Sequence, residues 1–565
     1  MFGTENGNTV NLRRQLADKA ISRREFVRLA ALLGASATAA YAFAGLPAYA
    51  QEAENLPFPP RDPKAQAGGI LRFGQKVAKM DDPHVYSWNE MSNQSRPVIE
   101  YLTLVGPDNV TRGMLVESWQ PSEDLKTWTL NVRKGVKWHN GDDFTAEHVA
   151  WNIRRWTDSD TGSAILGLST FSALAQETGG TDAKGKPARK APEGAIEVVD
   201  THTLRLHLSK PVLSLPEDCG DYPCLVIHPS FQAPFSDNPI GTGPYTVKEL
   251  KVGERCVLTR IHKTTTGEDF TYWGGDVYLD EIHFLDYDQE SQTLALASGS
   301  VDAIYELTSD QLELAKGIEG AQIGVTSSAG TLCMRMQVDQ KPFDDIRVRQ
   351  AICKAADNGQ TTTLLFPEGG KLGANFHVAP IHPEFFELPP QRRDVEGARA
   401  LLAEAGYPDG LDLSIDVGNT DGPWQQATCE ALRNQLADAG IRVAVNVMPS
   451  TKFWEVWMDT PFGATSWGHR PLGTMVLSQA YRTGAPWNET HYSNPEFDAA
   501  LDAAEATIDV AERRRLMEKV ETILRDDALM VQPFWRPIYI LASATVHGYQ
   551  PHPARQSQLT RVWMG

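Results

Sequence analysis

Between residues 398 and 447 the apolar positions change period three times, and no other stretch restricts the fold as strongly. Ala398, Leu401, Leu402 and Ala405 recur at helical spacing and stop at Gly406, after which Leu411, Leu413, Ile415 and Val417 alternate as in a strand. A second helix, over 424–439, ends at Gly440 and runs directly into Ile441, Val443, Val445 and Val447. Strand, helix and strand joined by short connections make a crossover unit whose two strands lie parallel. Elements alternate in the same way elsewhere, so the expected class is α/β. At about 150 residues per domain, a chain of 565 residues is expected to hold more than one domain.

The first fifty residues carry an address rather than a fold. Arg23 and Arg24, in the run SRREFV at 22–27, precede a weakly apolar stretch at 29–44, and Ala48-Tyr49-Ala50 follows with the small-x-small pattern of a signal peptidase site. The pattern resembles a twin-arginine signal peptide, 1–50, cleaved near Ala50. The first cysteine is Cys219, so no lipid-anchoring cysteine stands at the cleavage site. Residues 51–67, rich in Pro, Ala and charge, read as a flexible leader, and the fold is expected to begin near Gly68. With 53 basic against 72 acidic residues the net charge is -19, which repels phosphate backbones and argues against a nucleic-acid partner.

Further along, Trp128, Leu130 and Val132 alternate as a strand, Thr145 is placed to cap a helix, and Val149, Ile153 and Trp156 give that helix one apolar face. Residues 159–195 lack periodicity and read as an inserted loop before strands at 196–199 and 203–208. Leu516, Val520, Ile523 and Leu524 form another helical stripe, and 535–541 reads as a strand.

Chemical signatures are scarce. Neither Gly-x-Ser-x-Gly nor His-Glu-x-x-His occurs, and GTDAKGKP at 180–187 imitates a phosphate loop but sets Pro187 where a magnesium-binding hydroxyl is needed. His139 and His148, like His377 and His382, are spaced for neither a helical pair nor a zinc finger. No catalytic residue, metal site or cofactor is therefore assigned. Of six cysteines, Cys219 and Cys224 in CGDYPC are spaced to close a turn as a disulfide, with buried free thiols as the alternative. Fourteen tryptophans, including Trp88, Trp424 and Trp467, suit a ligand cleft as well as a core.

Several ordered segments resemble the extracytoplasmic solute-binding proteins of family 5, the peptide, nickel and opine group that serves ABC importers. They are LVESW at 115–119, LKTWTLNVR at 125–133, GVKWHNG at 135–141, FTAEHV at 144–149, GTGPY at 241–245, FDDIRVRQA at 343–351, LLAEAGY at 401–407 and NPEF at 494–497. The resemblance implies a two-lobed periplasmic binding protein fold of class II type. Lobe I would be 68–103, 229–328 and 529–565, an additional α/β domain 104–228, and lobe II 329–528. It implies a monomer, free in the periplasm, that hands a peptide or peptide-sized solute to a membrane permease and its ATPase. An opine, a sugar conjugate or a nickel or haem complex is the alternative cargo, and a secreted hydrolase the alternative of another class.

Relatives that bind dipeptides place an Asp after the Trp-Gly-like segment of lobe II for the amine, and an Arg before the preceding helix for the carboxylate. This chain has SWGHRPLG at 466–473, with His469 and Arg470 at the first place, and GNTDGPW at 418–424, with Asp421 at the second. The charges look reversed, so an anionic or hydroxyl-rich group is expected at Arg470 and His469, with Trp467 and Trp424 stacked on the ligand body. The alternative is that Arg470 pairs with a surface acid. Tyr86 and Trp88 are expected to wall the cleft from lobe I, and Tyr481 from lobe II.

Overall fold

The computed structural model describes residues 12, 14–17, 21, 26, 30, 57–59 and 61–565. The arginine pair, the cleavage pattern at 48–50 and residues 51–56 and 60 of the leader lie outside the described residues. Among the described residues no helix is long and apolar enough to cross a membrane.

Two compact units divide the chain, one formed by residues up to Val325 together with Ile538–Gly565, the other by Thr326–Pro537. The crossings fall at 325/326 and 537/538, inside the strands Ala321–Met336 and Phe534–Ser543. Residues 104–228 belong to the first unit.

In the first unit, strand Ile70–Gln75 runs parallel to Glu281–Asp286, with Phe73 opposite Phe284, and parallel to Ala303–Ile304 on its other side. The hairpin Tyr245–Lys251 and Arg255–Arg260 extends that sheet at one edge. A separate antiparallel sheet takes the order Val116–Pro121, Thr127–Val132, Thr203–His207, Ile196–Asp200. Its inward residues Trp128, Leu130 and Val132 are buried, as are Val149, Ile153 and Trp156 on the helix Ala146–Thr157. Thr145 is the N-cap of that helix, and His148 Nδ1 accepts the Thr145 N–H at 3.4 Å.

Residues 159–195 are not a loop, contrary to expectation. They hold the short helix Ser169–Leu174 and a hairpin of Gln176–Thr181 with Pro187–Lys190. The first hairpin strand is exposed at all six positions, so no apolar alternation marks it. What fixes the hairpin is tertiary: Arg189 Nη2 donates to the Ser172 carbonyl at 2.9 Å and to the Ala175 carbonyl at 3.2 Å.

Of the two alternatives for Cys219 and Cys224, the structure has the buried free thiols and not the bridge. Both are buried thiols; Cys219 caps the helix Leu215–Asp218 at its C-terminus, and Cys224 Sγ donates to the Asp218 carbonyl at 3.0 Å. The other four cysteines are buried and free as well.

In the second unit, strands Leu411–Val417 and Ile441–Val447 pair in parallel from Leu411 opposite Ile441 to Val417 opposite Val447, with the helix Trp424–Ala437 between them in sequence. Strand Phe462–Trp467 joins them in parallel and turns its other edge, antiparallel, to Thr331–Met336 of the crossing strand. The helices Gly473–Ala480, Pro495–Glu505 and Val510–Asp527 bury Leu477, Leu501, Met517, Val520 and Leu524 in one core.

Candidate ligand site of the second unit

Where the parallel strand Leu411–Val417 ends, the chain turns sharply before its helix. Gly418 lies so close to Phe453 that a Cβ would meet its Cβ at 2.4 Å and its Cγ at 2.7 Å, and Gly422 takes φ +116°, a left-handed conformation that favours glycine. The turn presents Asp421, and Trp424 ties it down, its indole N–H donating to the Asp421 carbonyl at 2.6 Å.

The Asp421 carboxylate is already engaged within the unit. Arg536 Nη1 donates to Oδ2 at 2.7 Å, and Ser466 Oγ donates to the same oxygen at 3.2 Å. The guanidinium lies 5.0 Å over the Trp424 ring, so one cation serves both an ion pair and an aromatic face. Phe366 and Phe534 meet Trp424 edge-on, at 5.9 and 6.0 Å between centroids. Ser328 Oγ donates to the Arg536 carbonyl at 2.5 Å and fixes the strand that supplies the arginine. The Arg536 side chain is 7% exposed and that of Asp421 19%, which makes the pair expensive to break.

A neighbouring group comes from the end of strand Phe462–Trp467. Trp467 turns its indole N–H inward, to Glu489 Oε1 at 2.9 Å, and Glu489 Oε2 accepts from Arg335 Nε at 2.8 Å and Thr465 Oγ1 at 2.5 Å. His469 Nδ1 accepts the Ala329 N–H at 3.0 Å, which leaves the ring hydrogen on Nε2. Its ring stands 6.4 Å from that of His382. The half-buried Arg470 has its carbonyl bonded by His382 Nε2 at 3.0 Å.

Of the sequence-derived residues, Asp421 and Trp424 form one cluster with Ser466 and Arg536, while His469 and Arg470 follow Trp467 on one short loop. Tyr481 is corrected: it is an interior residue whose hydroxyl lies 2.8 Å from His377 Nδ1, and burial pushes that hydroxyl well above its ordinary range. His377 beside it is driven down to about 3 by burial, with the nearby His382 adding to the effect. In the first unit Tyr86 is likewise interior, fully buried with its hydroxyl 3.2 Å from Ser95 Oγ, because it follows the turn at Pro83–Val85 into the core. Trp88, the N-cap of helix Asn89–Ser95, is 50% exposed and keeps a face open to solvent. Sequence reasoning missed Arg536. The signal was a lone guanidinium inside a run, 534–542, that is buried throughout. Among the described residues no group of three His, Cys, Asp or Glu is placed to hold a metal ion.

The family model described as bacterial extracellular solute-binding proteins, family 5 Middle, matches residues 111–489. The periplasmic oligopeptide-binding protein OppA of Escherichia coli (strain K12) is 25% identical over 528 residues, which cover 87% of this chain and 91% of that protein. Among solved structures, the periplasmic binding protein DppA from Helicobacter pylori in complex with the peptide STSA superposes with a TM-score of 0.72 at 20% identity, over 88% of this chain and 98% of that one. AgaA from A. tumefacien R10, in complex with agropinic acid, does so with a TM-score of 0.70 at 22% identity, over 88% and 99%.

Proposed function

The chain belongs to the bacterial extracellular solute-binding proteins of family 5, and from that premise we propose that it is the periplasmic substrate-binding subunit of an ABC importer. It captures a peptide or peptide-sized solute by lobe closure and delivers it to a membrane permease served by an ATPase. The solute favours the closed form through contacts the open form lacks, and the closed form is what a permease recognises. The protein reaches the periplasm by a twin-arginine signal cleaved near Ala50 and works there as a monomer. It supplies recognition and no catalytic step.

The observation that carries this reading is the cluster of Asp421, Arg536 and Trp424 beside the loop bearing His469 and Arg470. Asp421 is paired with Arg536, and Arg470 and the Nε2–H of His469 are of the donor type that suits an anionic or hydroxyl-rich group. A cationic amine desolvated beside Arg470 is disfavoured. Support for a peptide comes from the proteins named oligopeptide-binding and from the neighbour bound to STSA. A second reading, a non-peptide acid of opine type, is favoured by the donor set and by the neighbour bound to agropinic acid.

Native mass spectrometry of the protein purified from its own periplasm, followed by denaturation, identifies the molecule carried along. A peptide mass supports the first reading; a non-peptide acid replaces it with the second. With that molecule in hand, Arg470→Ala is expected to lower affinity by about tenfold or more, the loss of one charge-assisted contact of about 1.5–3 kcal/mol. Unchanged affinity by calorimetry removes Arg470 from the site.

A further inference from the structure

A guanidinium of the first unit is held in place without a counter-charge, and ligand capture as described makes no use of it. Arg96 is the C-cap of helix Asn89–Ser95, its backbone N–H donating to the Ser92 carbonyl at 2.8 Å, and the residue is only 9% exposed. Two groups hold its side chain. Nε donates to Asn93 Oδ1 at 3.2 Å, and Cζ lies 4.3 Å over the Tyr101 ring. Both holders are themselves fastened. Asn93 Oδ1 also accepts the Ser557 N–H at 2.9 Å, and Asn93 Nδ2 donates to the Arg555 carbonyl at 2.9 Å. The Tyr101 hydroxyl donates to the Tyr222 carbonyl at 2.9 Å, which also accepts from Ser92 Oγ at 2.7 Å. The guanidinium is therefore fixed from two sides before any ligand arrives.

What this leaves over is the far edge of the fork. Nη2 is buried with no hydrogen-bond partner, and no carboxylate of the described residues forms an ion pair with Arg96. Other buried arginines of the chain are provided for. Arg335 pairs with Glu489 at 2.8 Å and Arg536 with Asp421 at 2.7 Å, while Arg349 gives Nε and Nη1 to the carbonyls of Asp527 and Phe343 at 3.1 and 2.7 Å. A buried cation with an unfilled donor edge is unfavourable until an anion completes it. A planar carboxylate suits that edge, because its two oxygens accept parallel N–H bonds from Nη1 and Nη2. The place in the fold agrees. Strand Ile70–Gln75 lies between two parallel partners and ends at Gln75, whose Nε2 donates to the Glu90 carbonyl of the helix at 3.1 Å. Arg555, whose carbonyl anchors Asn93, gives Nη1 to Glu306 at 3.2 Å, just past the parallel strand Ala303–Ile304. Helix Asn89–Ser95 and Arg96 are thus tied to the carboxyl ends of parallel strands, where α/β sheets receive ligands.

We propose that Arg96 is a carboxylate-receiving site of the first unit, its Nη1–Nη2 edge taking both oxygens of a planar carboxylate while Tyr101 covers one face of the guanidinium. The carboxylate belongs either to the captured solute or to a small free acid; the chemistry is the same, and the test tells the two apart. The site uses no residue of the second unit, so it stands or falls separately from Arg470.

The test uses the full chain after exhaustive dialysis, its Arg96→Gln and Arg96→Lys variants, and sodium formate as the probe, with sodium chloride at equal ionic strength as the control for screening. In the parent chain the formate proton resonance broadens saturably, and the thermal midpoint rises along the same curve, above its value in chloride. Arg96→Gln lowers formate affinity by about tenfold or more. Arg96→Lys, which keeps the charge without the fork, lowers it as well. Chain that still carries its cargo identifies the source: formate shut out assigns the carboxylate to the solute, formate bound as before assigns it to a free acid, and either result keeps the site. The proposal is overturned if both variants bind formate as the parent does. It is equally overturned if the parent chain shows no saturable response beyond that in chloride, a result that stands even where neither variant folds.

Discussion

Arg536 and Asp421 illustrate how much a single pair can hold. Arg536→Ala takes the guanidinium from a carboxylate that is 19% exposed and that Ser466 also meets. The expected loss of stability is about 3–5 kcal/mol, read from denaturant unfolding at neutral pH. A loss under about 1 kcal/mol would place the pair with surface ion pairs instead. Buried titratable groups add two opposed pH responses. His84 and His377 are held down to about 3 and His552 to about 4, by burial first of all. Their neutral forms contribute stability above about pH 6.5 that is lost as pH falls, because the unfolded chain takes up protons the folded one refuses. Asp218 acts in the other direction. Burial raises it to about 7 despite bonds from Thr170 and Ser214, so its contribution is full below about pH 4 and lost as pH rises towards 7. Asp218→Asn is expected to flatten the stability profile between about pH 4 and 7, and His377→Gln to flatten it below about pH 6.5. Stability curves that keep the parent slope would count against both assignments.

At the level of elements, legibility followed burial. Leu411–Val417 and Ile441–Val447 could be read as parallel strands because alternate residues such as Ile415 and Val443 face a core, and the helix between them has glycine at its end. Ile415→Ala in this strand is expected to cost about 2–5 kcal/mol, measured as a shift of the urea midpoint. The hairpin inside 159–195 was illegible for the opposite reason. Its first strand touches solvent at every position, so its conformation is set by Arg189 and by turn glycines rather than by an apolar face. Shortening the tip at 179–185 should change stability by less than about 1 kcal/mol, whereas Arg189→Ala, which strips donors from two carbonyls, should cost about 1–3 kcal/mol. Equal effects of the two changes would show that the hairpin is not held by Arg189. The candidate site divides in the same manner. Asp421, Trp424, Trp467, His469 and Arg470 stand at or just after strand ends and are named through the family resemblance. Arg536 reaches Asp421 from 115 positions further along the chain, a separation that no local pattern encodes. Tyr86 and Tyr481 were misplaced because a tyrosine near a turn reads alike whether its hydroxyl finds solvent or, as here, Ser95 and His377.

For the molecule as a whole, the motifs that identified the family are chiefly turns and caps, such as Thr145 and the glycines at 135 and 141, which take φ of +75° and +94°. They specify backbone and leave the solute unspecified, so class was legible where cargo was not. The path of the chain has a further consequence for how the protein is made. Ala542 pairs with Ala303, and His547 with Trp563, inside a unit whose other residues precede Thr326. The first unit therefore waits, one sheet edge unfilled, until the whole of the second has left the ribosome and residues 538–565 have followed. Vectorial folding from the N-terminus is closed to it, while residues 326–537 are free to consolidate first. A pulse-labelled nascent chain should show protease resistance in the later-made unit before the earlier one.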